Sequence, residues 1–285
     1  MDVSSLVGAA INTWLSAVAT ALLRPAVAAA AELLFRTPDF AALPALREIW
    51  QVVRGVTDAL FLLAFVGAGV LVMTQAGSDA RYAAKVIVPR IVLAAVLANA
   101  SLAICGALVA LNNALISTVL GGDAASTIAA SFTQLLARGE IGTDVVAILV
   151  ALAAGVLAAL LIVLFIGRDL VLLVATALAP LALATYALPN TDELARLWWR
   201  VFIGLLFVQV VQAIVARVAL GVLASGTWLG GPVSSLVSGL VVVTLLYVLL
   251  RLPFAAYAWA FKTPLSVPRP LHVLSVGTRA ERVFG

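Results

Sequence analysis

The sequence predicts an all-α, polytopic membrane protein with about six transmembrane helices and an N-terminal helix that spans the membrane or lies on it. Of its 285 residues, 64% are hydrophobic and 11% are charged, whereas soluble domains carry about 25% charged residues. The apolar residues form continuous runs, without the alternation of a membrane β-barrel. Continuous runs in lipid indicate helices, because each segment must satisfy its own backbone groups. This composition also excludes a disordered chain and a secreted disulfide scaffold.

The N-terminal region, residues 1–58, is hydrophobic or interfacial. Its charge-free run 3–23 is long enough to cross a membrane, but it is rich in Ala, Ser and Thr. Residues 1–23 contain Asp2 and no Lys or Arg, so they do not resemble a secretory signal peptide, which begins with basic residues. A first span and a helix at the membrane surface are both compatible with this run.

The transmembrane domain is predicted at residues 59–261, since a span needs about 20 apolar residues. Arg168-Asp169 is expected to separate the third span from the fourth, and the Gly- and Pro-containing turn at 225–232 separates the last two. Residues 124–137 are expected to lie along the membrane surface, and residues 262–285 form a short polar tail. The six spans are predicted near 59–78, 91–111, 145–167, 170–188, 201–223 and 233–250.

Lys and Arg residues predict the orientation, because they are enriched in cytoplasmic loops. With six spans, twelve of them fall on the side of the C-terminus and five on the other side. The count predicts a cytoplasmic C-terminus and places the 112–144 loop inside as well. The expected location is the cell's inner membrane.

No enzymatic motif is present. The single histidine, His272, lies in the Pro-flanked tail, and the single cysteine, Cys105, lies within an apolar run. Neither has neighbours at metal-ligand spacing, and no Gly-rich phosphate-binding loop occurs. We therefore predict no catalytic, cofactor-binding or metal-binding residues, and a protein that is not an enzyme.

Four polar residues within the predicted spans are candidate functional residues, because polar side chains in lipid face a bundle interior or an aqueous path. They are Asn99, Gln209, Gln212 and Arg217. Gln209 and Gln212 are three residues apart and share a helix face. Two interpretations are open: the residues line a translocation path, or they form hydrogen bonds between helices.

A stripe of small residues occurs at every fourth position of the predicted span 145–167. Small residues let helix backbones approach closely, so we expect this stripe to pack against another helix. Its members are Ala147, Ala151, Gly155 and Ala159. Farther along, Pro180 is expected to kink the span 170–188.

Residues 165–215 resemble, in residue detail, the TrbL-like family of inner-membrane components of type IV secretion and conjugal DNA-transfer systems. The layout of residues 50–260 is also similar. The matching segments are Arg168-Asp169-Leu170, Ala179-Pro180-Leu181, Leu188-Pro189-Asn190-Thr191, Trp198-Trp199-Arg200 and Gln209 to Gln212. Two features depart from the family pattern: the tail is short, and the family's central loop is usually external.

The resemblance implies a non-catalytic channel or scaffold subunit that is powered by partner ATPases and needs no cofactor. Its implied partners are membrane lipid, further copies of itself, other secretion-system subunits and DNA in transit. The alternative function is a small secondary transporter for an unknown solute. Ion-coupled transporters usually carry Asp or Glu inside a span, and none falls inside the six predicted spans. A purely structural assembly factor is a third alternative.

Overall fold

The computed structural model describes residues 36–74, 78–121, 145–187, 191–225, 227–228, 231–232 and 235–262, together with the single positions 10, 13, 14, 17, 21 and 29. The predictions for the run 3–23 as a whole, for the surface piece 124–137 and for the tail beyond Lys262 lie outside these residues.

The predicted all-α class is confirmed. Among the described residues, the only strands are the two-residue β1 (Thr227–Trp228) and β2 (Gly231–Pro232), which pair antiparallel. All other regular structure is helical. The α-helices are α1 (Pro44–Thr74), α2 (Ser78–Leu120), α3 (Val145–Ala177), α4 (Ala179–Ala184), α5 (Asp192–Ser225) and α6 (Ser235–Lys262).

Four of these helices are long and apolar enough to cross a membrane. The candidate spans are Pro44–Gly67 in α1, Val88–Leu120 in α2, Leu152–Ala177 in α3 and Asp192–Ala219 in α5. A shorter apolar stretch, Gly239–Ala255, lies in α6. These lengths and compositions make the chain a polytopic membrane protein.

The predicted break at Arg168-Asp169 is wrong, because α3 runs without interruption from Val145 to Ala177. The chain instead turns at Leu178, between α3 and α4, and Pro180 lies in the first turn of α4. A proline is tolerated there because its missing N–H would have no intrahelical partner. The predicted span 170–188 is therefore divided among the end of α3, α4 and a short 3-10 turn, Thr185–Ala187.

Hydrogen bonds define the relative directions of α2, α3 and α5. The Asn112 side chain of α2 meets Gln209 of α5, and Leu120 meets Arg217, so α2 and α5 run parallel. The Trp198 indole of α5 donates to the carbonyl of Ala175 in α3. Together with the bond from the Arg168 side chain to the carbonyl of Leu205, this contact makes α3 antiparallel to α5.

Two buried apolar clusters hold the bundle together on either side of its polar centre. One joins the end of α2 to α3, α5 and α6 through residues such as Ala158, Phe165 and Leu246. The other joins α2, α3, α4 and α5 through residues such as Leu172 and Phe202. Between these clusters, polar groups must find partners inside the protein.

An irregular segment, residues 36–43, precedes α1 and runs along α2; we call it the strap. It contains a 3-10 turn, Phe40–Ala42, which the Asp39 side chain caps by accepting a bond from the backbone N–H of Ala41. The strap lies close to α2 at Gly106, where a Cβ would stand 3.2 Å from the Cβ of Ala41. A larger side chain at this glycine would push the strap away from the helix.

Candidate functional site

A charged residue lies in the interior of the bundle. The Arg168 side chain is only 3% exposed, although it belongs to the candidate span of α3. Its guanidinium Nη1 lies 3.1 Å from Asp169 Oδ1, its Nη2 donates to Gln209 Oε1 at 2.9 Å, and its Nε donates to the carbonyl of Leu205 at 3.1 Å. These partners satisfy the charge locally, so α3 continues through the position without a break.

The amide oxygen of Gln209 is the acceptor at the centre of this site. Gln209 is fully buried, and its Oε1 accepts bonds from Thr37 Oγ1 at 2.6 Å, Asn112 Nδ2 at 2.7 Å and Arg168 Nη2 at 2.9 Å. One oxygen atom therefore joins the strap, α2 and α3 to α5. We call Thr37, Asn112, Asn113, Arg168 and Gln209 the polar cluster.

Asn113 recognises the backbone of the strap. Its Oδ1 accepts a bond from the Thr37 N–H at 3.1 Å, and its Nδ2 donates to the Thr37 carbonyl at 2.9 Å. These two bonds satisfy the backbone N–H and carbonyl of Thr37, as a neighbouring β-strand would do in a sheet. Thr37 is consequently 1% exposed although its backbone is not helical. Irregular backbone at membrane depth requires this kind of compensation from the protein.

The polar cluster lies within the candidate membrane spans. Its helical members belong to Val88–Leu120 of α2, Leu152–Ala177 of α3 and Asp192–Ala219 of α5. Asn112 is about 12 Å along α2 from Leu120, at about 1.5 Å per residue, and Leu120 accepts from Arg217. Nearer the middle of α2, Asn99 donates to Asp58, which pairs with Arg54. The cluster therefore lies at a depth that the hydrocarbon core of a bilayer would occupy.

Gln212 does not join the polar cluster. It is fully buried, and its Nε2 donates to the carbonyl of Leu249 in α6 at 2.9 Å. Pro253 lies four residues after Leu249 inside α6 and has no N–H to donate to that carbonyl. Gln212 thus supplies, from a neighbouring helix, the donor that the proline removes.

Arg217 contacts the C-terminal end of α2, whereas Asn99 lies near the middle of that helix. Arg217 Nη1 lies 3.4 Å from the carbonyl of Leu120, the last residue of α2, where a cation interacts favourably with the unpaired carbonyls. Asn99 is exposed and donates both to Asp58 and to the carbonyl of Ala95. In the described residues, Asn99, Gln212 and Arg217 make contacts within or between helices, and Gln209 also contacts the strap. Their lining of a path stays a prediction.

The predicted small-residue stripe runs beside the buried face of α3. Ala159 is exposed and Gly155 is partly exposed, whereas the adjacent Ala154 and Ala158 are 3% and 0% exposed. The side chains of the other two members lie outside the described part. Packing of the predicted stripe against another helix stays a prediction.

Sequence reasoning missed three members of the polar cluster. Asn112 and Asn113 lie inside α2, although their polarity marks an end of the apolar run. Thr37 gave no signal, because its partners Arg168 and Gln209 are 131 and 172 residues away along the chain. Asp169 also lies inside the candidate span of α3, so the absence of an acidic residue from the spans no longer argues against a transporter.

The chemistry of the cluster is that of positioning rather than of bond making. Within the part of the chain that the structure describes, no group of three or more His, Cys, Asp or Glu residues could hold a metal ion. The arginine faces an adjacent carboxylate and neutral acceptors, so the site has no net formal charge. Such a site is suited to holding segments together, or to bordering a hydrated path, at low electrostatic cost.

A comparison with protein families matches residues 2–281 to a family described as TrbL/VirB6 plasmid conjugal transfer like protein. The match covers nearly the whole chain, whereas the residue-level resemblance noted from the sequence covers 165–215. No curated protein and no solved structure gives a significant match.

Proposed function

Because the chain belongs to the TrbL/VirB6 plasmid conjugal transfer-like family, we propose that it is a non-catalytic channel subunit of a conjugal DNA-transfer apparatus. The observation that carries the channel role is the polar cluster around Arg168, which lies within the candidate membrane spans. This cluster holds the irregular strap, with its exposed Arg36 and Asp39, at the depth of the spans, and charged side chains at that depth are suited to an aqueous path.

The channel is proposed to be a homo-oligomer in the inner membrane. The four candidate spans and the shorter apolar stretch of α6 are too few to enclose a pore for DNA within one chain. Energy for transfer is assigned to partner ATPases, since the sequence has no nucleotide-binding loop. Other secretion-system subunits complete the apparatus on either side of the membrane.

Removal of the gene from donor cells tests the proposal most directly. Plasmid transfer is expected to be lost and to return when the native chain is supplied in trans, while growth of the donor is unchanged. Normal transfer from the deleted donor would refute any role in conjugation. A growth defect tied to one solute would favour the transporter alternative.

Cross-linking of DNA during transfer separates a channel from a scaffold. Formaldehyde treatment of mating cells, followed by precipitation of this chain, is expected to recover the transferred strand. The matched control is a donor whose coupling ATPase is inactive, in which no strand enters the apparatus. An apparatus that fails to assemble without the chain, together with no recovery of DNA from active donors, would indicate a scaffold.

A further inference from the structure

The strap carries charged side chains on its outer surface at the depth of the polar cluster. Arg36 and Asp39 are exposed, while Thr37 between them points inward. Thr37 is bonded to Asn113 and Gln209, so it lies at the depth of the middle of α5 and within the candidate span of α2. Among the described residues, neither Arg36 nor Asp39 forms an ion pair.

This surface is incompatible with lipid. Exposed non-helical backbone does not occur in the hydrocarbon region unless it is buried in protein or lines a water-filled cavity. Charged side chains within the membrane face the interior of a bundle or an aqueous path. Two features of the strap, its irregular backbone and its charges, therefore lead independently to the same conclusion.

Other faces of the bundle at the same depth are apolar. Leu170, next to the Arg168–Asp169 pair on α3, is 57% exposed, and Phe207, close to Gln209 on α5, is 64% exposed. These side chains are suited to contact with acyl chains. At this depth the strap face is therefore polar, whereas the faces that carry Leu170 and Phe207 are apolar.

We propose that the strap face is the water-facing side of this subunit and that it borders the transfer route. The assignment of this face to the transfer route rests on the proposed channel function. Its contact with water does not depend on that function. In this arrangement Gln209 lies directly beneath the lining and holds it in place, and Gln212 serves α6. The side chains that meet the cargo are Arg36 and Asp39.

Cysteine accessibility tests this proposal in the full-length protein in membranes. Cys105 is first replaced by Ala to remove the native thiol. Single cysteines then replace Asp39 or Arg36 on the strap, and Leu170 or Phe207 serve as exposed controls at matched depth. Intact and inverted membrane vesicles are treated with a charged, membrane-impermeant thiol reagent.

Cysteines on the strap are expected to be labelled to completion, and those at the two control positions are expected to stay unlabelled. Protection of both strap cysteines would overturn the proposal, because it would mean that another protein surface covers the strap. Equal labelling of strap and control positions would overturn it too, since the strap would then not be distinguished from the rest of the surface.

A disulfide between Ala41→Cys and Gly106→Cys checks that the strap is docked as described. It is expected to form upon mild oxidation, since the two Cβ positions are close enough for a small adjustment to give disulfide geometry. Its failure to form would overturn the placement of the strap and the proposal with it.

Transfer assays distinguish a strap that only faces water from a strap that also borders the transfer route. Modification of a cysteine at 39 with a bulky reagent is expected to abolish plasmid transfer from donors that depend on the variant, and modification at Phe207→Cys is expected to leave transfer unchanged. Labelling of the strap without any effect on transfer would retain the wet surface and refute its role in the route. Loss of the proposed function itself would appear separately, as normal transfer from the deleted donor.

Discussion

Loss of one charge of the Arg168–Asp169 pair is expected to destabilise the protein more than loss of both charges. Removal of the carboxylate leaves a buried guanidinium without its counter-ion, which costs about 3–5 kcal/mol, whereas removal of both charges can be nearly neutral. We therefore expect Asp169→Asn to lower the thermal unfolding midpoint in detergent much more than the double variant Arg168→Met/Asp169→Asn.

The exposed pair Arg196–Asp192 provides the control for this prediction. Asp192→Asn is expected to change stability by less than about 1 kcal/mol, because such pairs contribute little in contact with water. A double variant as unstable as Asp169→Asn alone would contradict this prediction. It would mean that the Arg168 side chain stabilises the protein through packing in addition to its ion pair.

Gln212 and Pro253 are expected to be energetically coupled through the carbonyl of Leu249. Gln212→Leu removes the donor to that carbonyl and should cost about 1 kcal/mol, the size of a hydrogen bond between helices. In a Pro253→Ala background the restored N–H at 253 can serve the carbonyl, so the same substitution should cost clearly less. A double-mutant cycle of unfolding midpoints measures the coupling, and additive effects would refute it.

The sequence allows only some residues of the polar cluster, and none of their hydrogen-bond partners, to be predicted. Gln209 was identified as an intramembrane polar residue because amides are rare in apolar runs. Its partners could not be identified, because the strap returns Thr37 to α5 across most of the chain length. Arg168 was misread as a helix boundary, since a charge inside a span is costly unless partners not visible in the sequence satisfy it.

At the scale of helices, α3 shows why the existence of a helix is easier to predict than the face that it buries. Before Arg168 and Asp169 its span is apolar on all sides, so that part of the sequence contains no contrast that sets the rotation. The buried face carries Ala154, Ala158, Leu161 and Phe165, with exposures between 0% and 3%. The predicted stripe is rotated by one residue from this face.

Neighbouring alanines on α3 allow a direct test of the rotation. Ala158→Leu is expected to destabilise the protein by about 1–3 kcal/mol, because it overpacks a fully buried position against α5 and α6. Ala159→Leu is the matched control, and thermal melts in detergent should show little change. A larger loss for Ala159→Leu would mean that the predicted stripe packs against a second chain.

For the whole molecule, the helix directions change which loops share a side of the membrane. α2 and α5 run parallel, and α3 runs antiparallel to α5. α4 is too short to cross, and we expect the shorter apolar stretch of α6 to cross once more after α5. We therefore expect the 122–144 segment and the C-terminal tail on opposite sides of the membrane, whereas six predicted spans placed them together. The difference follows from α3 and α4, which replace two predicted crossings by one.

The Lys and Arg residues again favour a cytoplasmic C-terminus under this arrangement. With the buried Arg168 set aside, ten lie towards the side of the tail and six towards the other. A reporter that fluoresces only in the cytoplasm is expected to be active after Gly285 and inactive when inserted at residue 130. Activity at both positions would mean that an even number of membrane spans separates residue 130 from the C-terminus.

The triple use of the Gln209 oxygen has a consequence for the evolution of this family. Because one atom serves donors from the strap, α2 and α3, replacement of any one partner alters the demands on the others. We expect positions 37, 112, 168 and 209 to covary among related sequences, with polar sets exchanged together for apolar ones rather than singly. An alignment in which these four positions vary independently would mean that their shared hydrogen bonds do not constrain which residues occur together.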